Sequence, residues 1–390
     1  MSEMDLRHRR DQRRWSRELM QMFLIVGLVF FLCEYAIYPL VLIQCSWPQQ
    51  PQNADRDANV LRAMVLADTH LLGPFRGHWF DKLRREWQMH RTFQTAIGIF
   101  NPEVVFFLGD LFDEGEWVKG PDFDKYVSRF ESLFSVPEHI DIYVVPGNHD
   151  IGFHYQTLPH KHTRFKTAFN SSSVRLLRLK EVNFVLINSM AMQMDDCFLC
   201  EEGLTELKIV KGQLFCQQNP TSPKCMSSPE FQIYSRPILL QHFPMYRESD
   251  SMCTGPDSAP NEEKFDAFRP TFECLSADST KVLQQIIGPR LILSGHTHHY
   301  CLYNHSIKGF GTVPEYSVPS FSWRNRNDPS FFLGHFSRNE FFLSKCLMPK
   351  ESTANLLYVS GSLLIICTLL RRILIYVFRC LWFVLVRRAR

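Results

Sequence analysis

The sequence predicts an α/β layered domain held between two membrane segments. Three observations carry this reading. Six short apolar runs between residues 61 and 299 each end in polar residues. Between some of them, Phe and Leu recur at helical spacing. At each end of the 390-residue chain lies a long apolar stretch flanked by arginines. Continuous apolar runs of four to eight residues fit strands buried on both faces, and strands interleaved with helices give a central sheet covered by helices.

The first element is a basic tail, residues 1–18, with six arginines (Arg7, Arg9, Arg10, Arg13, Arg14 and Arg17). Next comes "LMQMFLIVGLVFFLCEYAIYPLVLI", residues 19–43. A bilayer needs roughly 20 apolar residues, so this stretch can span. It is longer than the core of a cleaved signal peptide and has no small-residue cleavage site, which makes it an anchor. Its one acid is Glu34. Residues 44–60 form a polar, Pro-containing linker.

At the far end, residues 354–370 are long enough to span and stop at Arg371 and Arg372. The following "ILIYVFRCLWFVLV", to residue 386, is split by Arg379. It either extends the span with the arginine snorkelling or lies in the interface. A basic tail, residues 387–390, ends the chain. Arginine excess at both ends places both in the cytosol by the positive-inside rule, and residues of about 44–353 on the lumenal side. Two sequons, at Asn170 and Asn304, agree with that side. The net charge of +3 sits at the ends and the domain's basic residues are scattered, which is no nucleic-acid footprint.

Twelve cysteines read accordingly. Cys197, Cys200, Cys216 and Cys225 cluster in an insert of about residues 195–231 that reads as loop-rich. In an oxidising lumen this is a disulfide-stapled insert rather than a zinc site. Cys253 and Cys274 are candidates for another bridge.

The soluble domain, residues 61–346, holds the six apolar runs: "LRAMVLADTH", "VVFFLGDLFDEG", "IDIYVVPGNHD", "NFVLINS", "RPILLQHFP" and "RLILSGHTHH". Residues 90–100 and 122–134 are the better helix candidates between them. Ligands of α/β proteins gather at the carboxyl ends of strands. Here those ends supply Asp68 and His70, then Asp110, then Asn148 and His149, then His242, then His296 and His298. Carboxylates, an amide oxygen and imidazoles suit manganese, iron or zinc. They are too many for one tetrahedral ion, and two ions sharing a bridging carboxylate would use them all. In an extended segment residues i and i+2 point the same way, so Asp68 and His70 can grip one ion. His296 and His298 can converge likewise, or a loop can divide them between two ions. Asp113 reads as a helix cap after the second strand, with orienting a ligand as the second reading.

The ordered set "ADTH", "GDLFDEG", "GNHD", "QHF" and "GHTH", each after an apolar run, resembles the calcineurin-like metallophosphoesterase superfamily. The resemblance covers about residues 61–321 and implies a sandwich of two central β-sheets flanked by helices, here between N- and C-terminal transmembrane segments. It implies that Asp68, His70 and His298 hold one divalent metal ion. Asn148, His242 and His296 would hold the other, with Asp110 bridging. His149 would be the general acid near the phosphate, oriented by Asp150. Such an ion pair polarises phosphoryl oxygens and lowers the pKa of a water.

The whole arrangement, with "LADTHLLG" and "GHTHHYC" between two terminal membrane segments, is similar to the branch of that superfamily that remodels GPI anchors. This implies a manganese phosphodiesterase that removes ethanolamine phosphate from the second mannose of the GPI glycolipid. Its location would be the early secretory pathway: endoplasmic reticulum exit sites, the ER–Golgi intermediate compartment and the Golgi. GPI-anchored proteins, and cargo-export machinery with them, would be the partners. The alternatives are a lumenal two-metal phosphoesterase for another lipid or nucleotide diester, and a non-catalytic metal-binding cargo adaptor.

Overall fold

The computed structural model describes residues 3–49, 59–225 and 233–388. Parts of the expected linker (50–58), of the insert (226–231) and of the terminal tails (1–2, 389–390) lie outside these residues. The chain divides into two compact units, Met1–Leu40 with Pro349–Arg390, and Val41–Met348.

The first unit is helical. An N-terminal helix, Glu3–Phe31, continues through one π turn, Leu32–Ala36, into Ile37–Leu42. The C-terminal helix, Glu351–Arg388, has 38 residues and is not interrupted at Arg371, Arg372 or Arg379. At ~1.5 Å per residue it is about 57 Å long, more than the ~30 Å of a hydrocarbon core. Ser16–Leu42 and Glu351–Phe378 are each long and apolar enough to cross a membrane. The two helices meet where Gly361 removes a side chain, since a Cβ there would lie 2.6 Å from a methyl of Val29. Glu34 accepts a hydrogen bond from the Tyr358 hydroxyl, which answers an acid in an apolar helix. Arg372 Nε lies 3.3 Å from Glu18 Oε2.

The second unit carries the strands. In chain order they are β1 (Leu61–Leu66), β2 (Val104–Phe107), β3 (Asp141–Val144), β4 (Val174–Leu179), β5 (Val182–Ile187) and β6 (Ile238–Gln241). There follow β7 (Leu291–Ser294), β8 (Cys301–Ile307), β9 (Gly311–Ser317), β10 (Ser330–Phe336) and β11 (Phe341–Leu347). Among the described residues they form two mixed sheets, ordered β11-β10-β1-β2-β3 and β4-β5-β6-β7-β9-β8. β1, β2 and β3 run parallel, as do β5, β6, β7 and β9, so their carboxyl ends share one edge in each sheet.

Alternation along these strands explains the continuous apolar runs. Ala63, Val65, Phe106, Phe184, Leu240 and Leu293 form the core between the sheets. Their neighbours Met64, Leu66, Phe107, Val185, Leu239 and Ile292 face outward into a second core shared with the helices. Two of those helices, Trp79–Phe100 and Gly120–Leu133, extend the segments expected from spacing. They deliver Phe93 and Phe130 to Phe107, at ring separations of 6.2 and 5.0 Å.

Two sequence expectations are corrected here. The insert is built on a 21-residue helix, Phe198–Gln218, rather than on loop. Its buried residues Leu199, Gly203, Leu207, Val210 and Leu214 fall at helical spacing and pack it on β4 and the helix Ala277–Ile287. Cys253 pairs with Cys301, and Cys274 is a buried free thiol. The backbone decides this, because Cys253 and Cys301 have Cα atoms 4.8 Å apart, within disulfide reach. A further bridge, Cys45–Cys346, closes a separation of 301 residues. Cys197–Cys200 and Cys216–Cys225 staple the insert as expected.

The register locates the ends of this unit. Cys346 pairs with Phe331, while Val65 pairs with Phe332, so the Cys45–Cys346 bridge lies level with Leu66. The chain therefore reaches and leaves the second unit at the strand edge where Asp68 follows β1.

Candidate metal centre

The parallel strands end in loops that turn at once. Asp68, His70, Asp110, His296 and His298 all have positive φ, between 44° and 71°. The extended geometry expected for the D-x-H and H-x-H pairs is thus replaced by left-handed turns. The turns separate His296 from His298 and send each to a different neighbour. Two glycines permit the crossing of these loops. Gly109 has φ 89°, and a Cβ on Gly147 would lie 2.1 Å from Asp110 Oδ1.

All eight expected site residues converge. Asp110, buried, sits at the centre. His70 Nε2 lies 3.5 Å from Asp110 Oδ2 and 3.2 Å from His298 Nε2. On the other side His242 Nε2 lies 3.3 Å from the same Oδ2, 3.1 Å from Asn148 Oδ1 and 3.2 Å from His296 Nδ1. Asp68 Oδ1 is 3.8 Å from His298 Nε2 and accepts the His296 backbone N–H at 3.2 Å. The backbone N–H of His149 donates to Asp110 Oδ1 at 2.9 Å, and its ring packs edge-on against His70 at 4.8 Å.

Acceptors around the cluster set the tautomers. The Leu108 carbonyl lies 2.7 Å from His242 Nδ1, and the Phe272 carbonyl 2.7 Å from His296 Nε2. Asp113 Oδ1 lies 3.2 Å from His70 Nδ1. A carbonyl or carboxylate only accepts, so each of those nitrogens carries its proton. The inward nitrogens of His70, His242 and His296 then present lone pairs. Those lone pairs face carboxylate, amide oxygen and one another. Acceptors packed on acceptors require a positive charge among them, and oxygen and imidazole donors fit divalent cations. Asp68, His70, Asp110 and His298 form one such group, and Asp110, His242 and His296 another. Asp110 is common to both.

The electrostatics of the bare cluster state the same demand. Burial pushes His242 down, yet Asp110 and Asp68 outweigh it and raise the ring to about 9. Burial lowers His296 to about 3, aided by its neighbour His242. Burial would raise Asp110, but His242, His149 and His70 hold its carboxyl well below the usual range. Burial would lower His149, but Asp110 and the Asp113 carbonyl raise it.

Two second-line roles differ from expectation. Asp150 does not orient His149: its oxygens accept from the backbone of Gly147 at 2.9 Å and of Phe112 at 3.0 Å, bracing the turn that presents Asn148. Asp113, expected as a helix cap, orients His70 by its carboxylate and His149 by its carbonyl, 2.9 Å from Nδ1. Phe272, whose carbonyl holds His296, lies in the insertion before the helix Ala277–Ile287 and carried no sequence signal. His299, 3.9 Å from Glu263, stands beside the cluster as a neighbour. His154 and His162 pair with Asp195 and Glu202 of the insert.

Strand-end loops from two facing sheets, meeting in a carboxylate-centred cluster of this kind, define a metal-dependent phosphoesterase, and the chain belongs to the calcineurin-like phosphoesterase family, which it matches over residues 61–300. It is similar to Metallophosphoesterase 1 of Xenopus laevis, at 43% identity covering 98% of this chain and 96% of that one. Metallophosphoesterase 1 of Danio rerio is 48% identical, covering 86% and 87%. Purple acid phosphatase PPD1 from yellow lupin seeds aligns with a TM-score of 0.48 at 12% identity, covering 77% of this chain and 52% of that one. The protein is therefore a phosphoester hydrolase.

Proposed function

We propose that this protein is the phosphodiesterase that removes the ethanolamine phosphate side group from the second mannose of GPI anchors in the early secretory pathway. Cleavage there would release GPI-anchored proteins, with their export machinery, from the endoplasmic reticulum. The observation that carries the reading is the convergence of lone pairs on Asp110 at the strand edge where the chain reaches and leaves its domain. The two apolar helices that flank the domain in the chain suit a substrate anchored in a bilayer. Four disulfides and two exposed sequon asparagines, Asn170 and Asn304, favour an oxidising lumen for this domain. The similarity of the motif-bearing stretches to the GPI-remodelling branch is what favours this substrate.

In this reading Asp68, His70 and His298 hold one divalent ion, Asn148, His242 and His296 hold a second, and Asp110 serves both. Manganese is the ion proposed. Divalent ions held there would polarise the phosphoryl oxygens and make a water acidic. The rest falls to the chain. His149 is fixed through Nδ1 to the Asp113 carbonyl, which leaves Nε2 to give a proton to the departing oxygen. Burial opposes its charged form, and the Asp110 carboxylate and the Asp113 carbonyl favour it. Asp110 holds the His149 backbone and so keeps the acid in step with the metal ligands.

Mass spectrometry of GPI glycans tests this. Cells lacking the protein would be compared with cells given back the wild type or His149→Ala. Persistence of ethanolamine phosphate on the second mannose, reversed by the wild type only, supports the reading. Identical glycans in all three remove that substrate and leave another lumenal diester. Full rescue by His149→Ala would favour a non-catalytic adaptor.

A further inference from the structure

A second group of metal-type donors lies apart from the first. Cys197 and Cys200 open the helix Phe198–Gln218 in C-x-x-C spacing and are joined as a disulfide. Asp195 Oδ1 lies 3.2 Å from Cys200 Sγ, and Asp195 Oδ2 lies 2.7 Å from His154 Nε2. The Tyr155 hydroxyl also donates to Asp195 Oδ2. One donor atom from each of His154, Asp195, Cys197 and Cys200 lies within 4.8 Å of every other.

We propose that the reduced Cys197–Cys200 pair, with His154 and Asp195, is a zinc site. The donor set decides the metal. Two thiolates, an imidazole and a carboxylate are zinc ligands, while manganese prefers oxygen. Tetrahedral zinc with bonds of ~2.0–2.3 Å spaces its donors about 3.3–3.8 Å apart, and these four already lie within 4.8 Å of one another. The helix N-terminus favours the thiolate form of both cysteines. No residue of this group belongs to the Asp110 cluster.

The chemistry balances with a dithiol reductant. Two electrons and two protons pass from the dithiol to the Cys197–Cys200 bond, which breaks as the reductant closes to its own disulfide. Zinc then displaces the two thiol protons. The exchange bears on the first site through the chain. His154 follows His149 by five residues, and Phe153 between them packs on Phe243 and Phe272 at 6.1 and 5.5 Å. Zinc would tie the loop after His149 to three ligands of the insert through His154, where the oxidised form ties it through Asp195.

Cobalt(II) is the probe, used on the full chain in detergent after reduction with a phosphine. The Asp110 cluster contains no sulfur, so cobalt bound there gives no sulfur-to-cobalt charge-transfer band. The expected result is such a band at one cobalt per chain. It should be absent in Cys197→Ser and Cys200→Ser, and need at least tenfold more cobalt in His154→Ala and Asp195→Asn. With the Asp110 cluster already loaded with manganese, added zinc should also raise the melting temperature of the reduced wild type, and do so less for Asp195→Asn. The site is overturned if Cys197 and Cys200 resist reduction in the folded chain. It is equally overturned if they reduce without giving the band, or if the band ignores His154→Ala and Asp195→Asn.

Discussion

Asp113 holds two histidines at once: its carboxylate lies 3.2 Å from His70 Nδ1 and its carbonyl 2.9 Å from His149 Nδ1. A single residue thereby sets the tautomer of one proposed ligand and of the proposed acid. Outer partners of this kind are worth roughly 10–100-fold in metal affinity or activity. Asp113→Ala should lose that much manganese affinity, read by metal titration of the chelator-treated protein. The carbonyl remains, so the turnover of the fully loaded variant should fall less than its affinity.

His149→Ala should behave in the opposite way. Its metal content should match the wild type, while turnover of a phosphodiester falls about 10²–10⁴-fold, the usual worth of a general acid. A substrate whose leaving group needs no proton, such as a nitrophenyl ester, should lose much less. Comparing the two substrates on one preparation checks the assignment.

Gly147→Ala should abolish the site without a change of charge. Its Cβ would meet Asp110 Oδ1 at 2.1 Å and Asp110 N at 2.3 Å, and backbone cannot yield as a flexible side chain can. The expected outcome is protein with background metal. Gly120→Ala, whose Cβ meets nothing within 4 Å, is the control and should load normally.

The motifs made the eight converging residues legible, because each follows an apolar run whose parallel neighbours bring its end to a common edge. Their backbone was not legible. Left-handed φ at Asp68 and His70 comes from the crossing with the Asp110 loop, whose backbone oxygen accepts from His70 N at 2.9 Å. For Asp113 the sequence favours the cap over the orienting role it has, because its carboxylate is claimed by a side chain 43 positions away, a choice that local pattern cannot show. The insert helix could have been found from its apolar spacing, but clustered cysteines suggested loop instead. Cys301 was paired by the sheet, since the strand it opens places it beside Cys253.

Acid should weaken the fold through Glu315. It is fully buried, lies 2.7 Å from His305 Nε2 and 3.9 Å from Arg247, and accepts from Met245 N at 3.0 Å. Burial would raise its pKa, but the His305 and Arg247 contacts bring it below the ordinary value. A depressed folded pKa contributes stability above the unfolded value, ~4.3, and loses it as pH falls through the folded one. Glu315→Gln should cost about 3–5 kcal/mol at neutral pH, as expected for breaking a buried pair. It should also flatten the acid limb of a melting-temperature profile below pH ~4.5.

Loss of the Cys45–Cys346 bridge should lower the melting temperature, by up to about 5 kcal/mol of stability for so long a loop. Cys45→Ser with Cys346→Ser, followed by thermal denaturation without reductant, measures it.

The same bridge decides where mechanical load travels. The two apolar helices are joined through the whole domain by the backbone, but through a single covalent bond by Cys45 and Cys346. Tension that draws one helix from the other therefore runs across the sulfurs and leaves the intervening 300 or so residues slack. The loops that gather around Asp110 lie inside that span, off the covalent path between the helices.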